Sequence, residues 1–501
     1  MREILCWSLA IATTFLQTTE AVQLVKRSTP AVVGFELERK KIVNPVDYDK
    51  RRQRRQNDKP KVVNQVLDNE KTLYFCNLTL GTPPQQLRMH IDTGSSDLWV
   101  NTPGSTICRD RRNLCEVGGT YDPQRSSTYK RINDDFNITY ADGSGAVGDY
   151  VTDTLKFGGV TLDDFQFAVG YQSTSREGVL GIGFTSNEVQ AVRNDQPPYP
   201  NLPQALVDAK LINSNAYSIW LNDLDASKGE ILFGGVNKAK FHDSLKSVPV
   251  VSRRTGYQDL AVALTGLSVK TADGEQRFPS ANFPFSVVLD TGSSLCYLPN
   301  AIVADIYDAV SAVYDSQFGA AYVPCDIAST KADLVFTFSE PNISVGMDEL
   351  VINPGPNRNG ETLQFDDGTD ACIFGIAPAQ GSVSILGDTF LRSAYVVYDL
   401  ENEEISLAQT RFNTSDSEIL EIQSGRDGVP DATGVASAVS SAGITPTASV
   451  QTTLTPISTA TVGMDGRPVS SSAGAVPTMK PEYPLRMFAG LAGAGIVFAA
   501  L

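Results

Sequence analysis

The nine residues Ile91-Asp92-Thr93-Gly94-Ser95-Ser96-Asp97-Leu98-Trp99 return 198 positions later as Leu289-Asp290-Thr291-Gly292-Ser293-Ser294-Leu295-Cys296-Tyr297. Each copy follows a strand-like apolar run, at 87–91 and 285–289, and opens a tight loop in which glycine takes dihedrals closed to other residues. Each is also followed by a second apolar segment ending in glycine. These segments are Gly178-Val179-Leu180-Gly181-Ile182-Gly183 and Ser384-Ile385-Leu386-Gly387-Asp388. One Asp-Thr-Gly arises easily by chance in a long chain. Two extended copies with matching downstream segments point to a body built from two equivalent halves.

Composition narrows what such a body can be. The chain has 501 residues, 42% of them hydrophobic, which is enough apolar surface for packed cores and excludes wholesale disorder. Its net charge of −16 argues against nucleic acid as a partner, because phosphate binding draws its affinity from positive charge. The charge is unevenly spread. Residues 1–59 carry a net of +5, so the rest carries −21. Only two histidines are present, His90 and His242, and neither a Gly-x-Ser-x-Gly elbow nor a His-Glu-x-x-His helix occurs. His90 reads as a strand side chain rather than a catalyst, and no metal or organic cofactor is expected.

With these motifs the chain resembles the pepsin-like aspartic proteases over residues 73–412. Further family-like segments are Gly81-Thr82-Pro83-Pro84-Gln85, Tyr140-Ala141-Asp142-Gly143-Ser144, Ile231-Leu232-Phe233-Gly234-Gly235 and Tyr395-Val396-Val397-Tyr398-Asp399. The resemblance implies an all-β, bilobal fold with pseudo-two-fold related lobes, at 66–240 and 241–415, and a cleft between them. It implies that Asp92 and Asp290 form a catalytic dyad. Ser95 and Ser293 would bond the outer carboxylate oxygens, and Thr93, Thr291, Gly94 and Gly292 would shape and buttress the loops. Tyr140 would tip a flap over the substrate, Gly143 and Ser144 would form its turn, and Trp99 would bond the tyrosine. Asp142 departs from the neutral residue several relatives carry, which would favour Lys or Arg beside the cleavage point. A monomer acting on polypeptides is expected.

The chemistry needs only two carboxyl groups. At about 3 Å and an effective dielectric near 20 they repel by about 5.5 kcal/mol, roughly four pKa units, so the pair holds one proton across a wide acid range. The ionised member then takes a proton from water while the protonated member donates to the scissile carbonyl.

Outside the repeat, the sequence reads as targeting and display. Residues 1–21 have the form of a secretory signal peptide. Residues 22–56 contain Lys26-Arg27 and Lys50-Arg51-Arg52-Gln53-Arg54-Arg55 and read as a basic propeptide, an intramolecular inhibitor that acid or a kexin-like enzyme removes. Residues 424–474 form a Ser/Thr-rich stalk, too poor in apolar side chains to offset ordering entropy. Residues 475–501 complete a glycosylphosphatidylinositol signal, with attachment at Ser472 or Gly474. These features resemble the yapsin-type fungal branch and imply export through the endoplasmic reticulum to the outer face of the plasma membrane or to the wall. Asn77, Asn137, Asn342 and Asn413 head N-glycosylation sequons. Six cysteines follow the signal. By resemblance, Cys108 pairs with Cys115 and Cys325 with Cys372, and the two that remain suggest a cross-lobe Cys76–Cys296 bridge. Two rival readings are a catalytically silent pepsin-fold peptide binder and a structural wall glycoprotein. The silent binder would normally have lost a motif residue, and the glycoprotein leaves the repeat unexplained.

Overall fold

The computed structural model describes residues 31–42, 70–442, 461–462 and 468–469, apart from 110–111, 113, 141–142, 227, 252–258, 317, 357–361 and 382. In chain order its first strands are β1 Val33–Ile42, β2 Glu70–Leu80, β3 Gln85–Asp92, β4 Leu98–Asn101, β5 Lys130–Thr139 and β6 Gly145–Phe157. These are followed by β7 Val160–Ser173, β8 Gly178–Gly181, β9 Ala216–Trp220, β10 Lys228–Phe233, β11 Gly235–Asn237 and β12 Leu245–Pro249. Burial along a strand depends on how many of its faces are covered. β5 starts in solvent, whereas β3 ends in four consecutive buried residues, Met89 to Asp92, because both its faces are packed there.

A fourteen-stranded sheet joins the two halves. From one edge its order is Ala432–Gly434, β12, Glu404–Gln409, Ala394–Asp399, β9, β10, β1, β2, β3, β8, β4, β7, β6 and β5. β3 pairs in parallel with β8, and β8 pairs antiparallel with β4. The second half repeats this unit in its own sheet, where Phe285–Leu289 pairs in parallel with Ser384–Leu386, which pairs antiparallel with the strand Cys296–Leu298. This is the all-β, bilobal architecture that the resemblance implies. One continuous core runs through both halves, from Leu37 and Ile91 to Leu289 and Phe390.

Two expected boundaries meet structure inside them. β1 lies within the segment 22–56 expected as a propeptide and pairs with both β10 and β2. Residues 424–442, the start of the expected stalk, lie on the body: Ala432–Gly434 pairs in parallel with β12, and the Val439 amide donates to Ser339 Oγ at 3.0 Å. The expected signal peptide, the rest of the stalk apart from 461–462 and 468–469, and the anchor signal with Ser472 and Gly474 lie outside the described residues.

The disulfides Cys108–Cys115 and Cys325–Cys372 are present. The expected Cys76–Cys296 bridge is not: both are free, buried thiols. Cys76 faces the core from β2, opposite Met89, whereas Cys296 lies within hydrogen-bonding distance of Thr389 Oγ1, 3.3 Å away. The short helix Asp388–Leu391 packs against both of their strands. Burial pushes the Cys76 thiol up to about 12 and the Cys296 thiol up to about 11, which keeps both protonated and unreactive.

A buried ion pair also ties the halves. Arg392, fully enclosed, donates to Glu349 Oε2 and to the Glu349 carbonyl, while Glu349 Oε1 accepts from the Leu224 amide at 2.9 Å. Removing one partner strands a buried charge. Arg392→Met should therefore cost about 3–5 kcal/mol in denaturant unfolding, and Arg392→Met with Glu349→Leu should recover most of that loss. Equal destabilisation in the single and double variants would contradict this reading.

Candidate active site

The parallel pairing of β3 with β8 delivers Asp92 to the end of a strand, and the Ile182 amide fixes its carbonyl at 3.0 Å. In the second half the Asp290 amide donates to the Leu386 carbonyl at 3.1 Å. Both loops then fold back on their own carboxylates with matching geometry. Gly94 N–H donates to Asp92 Oδ1 at 2.9 Å and Ser95 Oγ to Asp92 Oδ2 at 2.5 Å. Gly292 N–H donates to Asp290 Oδ1 at 2.7 Å and Ser293 Oγ to Asp290 Oδ2 at 2.7 Å.

The two loops interlock. Thr93 Oγ1 donates to the Leu289 carbonyl at 2.8 Å and accepts from the Thr291 amide at 3.0 Å. Thr291 Oγ1 donates to the Ile91 carbonyl at 2.9 Å and accepts from the Thr93 amide at 3.2 Å. This closeness explains the glycines. A Cβ on Gly94 would stand 2.7 Å from Asp290 Oδ1, and one on Gly292 would stand 2.5 Å from Asp92 Oδ1 and 2.9 Å from Asp290 Oδ1. Contact with the opposite carboxyl, rather than a left-handed backbone, is what excludes a side chain, since neither glycine has a positive φ.

The carboxyl groups are therefore neighbours, both more than nine-tenths buried, and within hydrogen-bonding reach of each other. Burial, and after it the charge of Asp290, raises the Asp92 carboxyl well above the usual carboxylate range, so the pair retains a proton in acid.

β5 and β6 form a hairpin whose turn carries Tyr140. Its turn is closed by the Tyr140 amide donating to the Ser144 carbonyl at 2.7 Å and by the Gly143 amide donating to the Tyr140 carbonyl at 2.9 Å. Gly143 has φ +72°, a left-handed conformation that suits glycine. Trp99 Nε1–H donates to Tyr140 Oη at 2.8 Å, joining the turn to β4. Asp142 lies outside the described residues. All four sequon asparagines, Asn77, Asn137, Asn342 and Asn413, are exposed.

Three features of the site escaped the sequence reading. His90, buried beside Asp92, brings Nε2 to 3.3 Å from the Thr291 carbonyl and adds a contact between the halves. Behind the loops Tyr217 Oη donates to the Ile182 carbonyl at 3.0 Å and Tyr398 Oη to the Leu289 carbonyl at 3.3 Å, with their rings stacked 5.1 Å apart. Beneath Trp99 lies an acidic cluster. Asp97 accepts from Tyr150 Oη at 2.8 Å, Tyr199 Oη at 3.0 Å and the Val189 amide at 2.9 Å. Glu188, fully enclosed, accepts from the Tyr199 amide at 2.8 Å, and its Oε1 has no hydrogen-bond partner among the described residues. The available signal was the break in the repeat that sets Asp97 against Leu295. Among the described residues no group of three or more His, Cys, Asp or Glu side chains could hold a metal ion.

Two carboxyl groups at the junction of two like halves, each held by its own Gly–Ser turn, define an aspartic-protease type of site. A profile of the eukaryotic aspartyl proteases matches residues 73–410. The chain is 54% identical over 500 residues to the "Probable aspartic-type endopeptidase OPSB" of Arthroderma benhamiae, covering 99% of both chains. It is 53% identical over 434 residues to a protein of the same description from Aspergillus oryzae, covering 86% of this chain and 87% of the other. It is also 38% identical over 363 residues to "Secreted aspartic protease 4" of Candida albicans, covering 71% and 80%. The chain belongs to the eukaryotic aspartyl protease family.

The buried acids predict how stability follows pH. Burial raises Glu188 from 4.5 to about 10. Its contribution is complete below pH 4.5, where folded and unfolded chains both hold the proton. It is lost as pH rises towards the folded value, because only the unfolded chain gives the proton up, at up to about 1.4 kcal/mol per pH unit. Calorimetry should show the thermal midpoint falling from pH 4.5 towards neutrality, and Glu188→Gln should flatten that fall. An identical slope in the variant would contradict the assignment.

Proposed function

We propose that the protein is a secreted aspartic endopeptidase that hydrolyses polypeptides in acid by a water activated between Asp92 and Asp290. The observation that carries this reading is the paired carboxyl groups, buried, cross-braced and within hydrogen-bonding reach of each other. The ionised carboxylate accepts a proton from water as the oxygen attacks the scissile carbonyl, and the protonated partner donates to the carbonyl oxygen. The tetrahedral diol then collapses, a proton passes to the amine, and the peptide bond breaks without a covalent enzyme intermediate. Gly94, Ser95, Gly292 and Ser293 hold the carboxylates in register, and the Tyr140 turn, braced by Trp99, closes over the peptide and excludes water.

A preference for basic residues beside the scissile bond is supported by the carboxylate of Asp142 in the turn sequence and by the net −21 of residues 60–501. Surface display is supported by the signal-like head, the small-residue cluster around Ser472 and Gly474, and the apolar tail at 487–501. The exposed sequon asparagines agree with passage through the secretory route.

A peptide-library digest at several pH values, with and without the transition-state mimic pepstatin, tests the mechanism and the specificity together. Cleavage should be confined to acid, blocked by pepstatin, and reduced by at least about a hundredfold in Asp290→Asn, which cannot hold the shared proton. Asp142→Thr should keep turnover on neutral peptides and lose the preference for Lys and Arg. Cleavage that survives both pepstatin and Asp290→Asn would reject the mechanism.

A further inference from the structure

Alternate residues of a strand point to the same side, so β3 sets Arg88, His90 and Asp92 on one face. Two residues of extended chain span about 7 Å, which makes the imidazole a close neighbour of the Asp92 carboxyl. His90 is buried, and its Nε2 lies 3.3 Å from the carbonyl of Thr291, the residue that follows Asp290. One ring thus reaches the second loop while standing beside the carboxyl of the first.

Packing alone does not call for this ring. The repeat places Val288 at the equivalent position of the second half, 198 residues on, and Val288 is buried as well. An imidazole costs more to bury than a valine and adds what valine lacks, a donor and a charge. The neighbouring strands supply no charge of their own at this point. β2 sets Phe75 opposite His90, with ring centroids 5.4 Å apart, and β8 sets Val179 opposite it. The charged side chains that face it are Arg88 and Asp92 from β3 and Asp290 from the second loop, and the Arg88 guanidinium lies over the Phe75 ring, 4.0 Å from its centroid. Tyr217 and Tyr398, behind the loops, stay neutral because burial pushes both hydroxyls up. Burial and then the charge of Asp290 favour a protonated Asp92, and the charge of His90 opposes them more strongly than the Ser95 hydroxyl does.

We propose that His90 is a positioning residue for the dyad: as an imidazolium it donates to the Thr291 carbonyl, ties the two loops together, and keeps the carboxyl pair a single anion further into acid than the pair would remain alone. The assignment rests on the dyad reading above. His90 makes and breaks no bond in the reaction. It acts through its charge and its hydrogen bond on the group that takes the proton from water.

At about 7 Å and an effective dielectric of about 20 to 40, one cation moves a neighbouring carboxyl by about one to two pKa units. Removing the cation raises the pH at which the pair becomes a single anion. The acid limb of kcat/KM should therefore move up by about one to two pH units in His90→Leu, and equally in His90→Gln, which restores a donor without a charge. An acid limb at the wild-type position in either variant would overturn the proposal. Nitrogen-15 spectra of the wild type give a second readout that needs neither turnover nor a change at His90, and because the chain has only two histidines, His242→Gln assigns the signals. His90 should carry both ring protons throughout the pH range of cleavage, and a neutral ring there would also overturn the proposal. Cleavage that survives pepstatin and Asp290→Asn counts against the dyad itself, whereas an unmoved acid limb with both of those effects intact counts against His90 alone.

Discussion

Two buried carboxyl groups can be neighbours only if something rigid forces them together, because their mutual repulsion and their desolvation both oppose it. Here the force is the reciprocal bonding of Thr93 and Thr291, each donating to a carbonyl on the opposite strand and accepting an amide from the opposite loop. These bonds lie at the junction of two halves that share one core, so spreading the carboxyl groups would require breaking the lobe interface. The arrangement relieves its own strain by retaining a proton, and that retained proton is what the chemistry uses. Structure and mechanism meet in the same pair of side chains.

The same logic extends outward from the dyad. Asp97 and Glu188 sit under Trp99, which braces the Tyr140 turn, and both are raised by burial. These two carboxyl groups are therefore held best in acid, since protonated carboxyl groups are inexpensive to bury and ionised ones are not. The flap support and the dyad respond to pH in the same direction.

Much of this was legible in the sequence, because a duplicated motif constrains a fold far more than any local propensity does. The repeat located Asp92 and Asp290, and the loops at both places have the same hydrogen-bond pattern. What stayed hidden depended on contacts remote in sequence. Residues 31–42 read as part of a basic leader, and their strand pairing with Phe233 some 200 positions away leaves no local mark. Cys76 and Cys296 suggested a bridge by elimination, yet they lie on strands of different sheets and serve as apolar filling. Residues 424–442 have a stalk's composition, but a few apolar contacts, such as that of Val435 with the core, and one short strand hold them to the body. Glu188 carries no motif at all, and its role appears only when the space around it is closed.

The central claim is that the two halves hold their carboxyl groups as one coupled acid. Carbon-13 labelling of the aspartate carboxyl groups, followed through an acid-to-neutral titration of wild type and Asp290→Asn, addresses it directly. The account predicts that the pair loses its protons in two well-separated steps in the wild type, and that the variant shows a single step for Asp92. Two independent titrations at the ordinary carboxylate position, unchanged by the substitution, would contradict it.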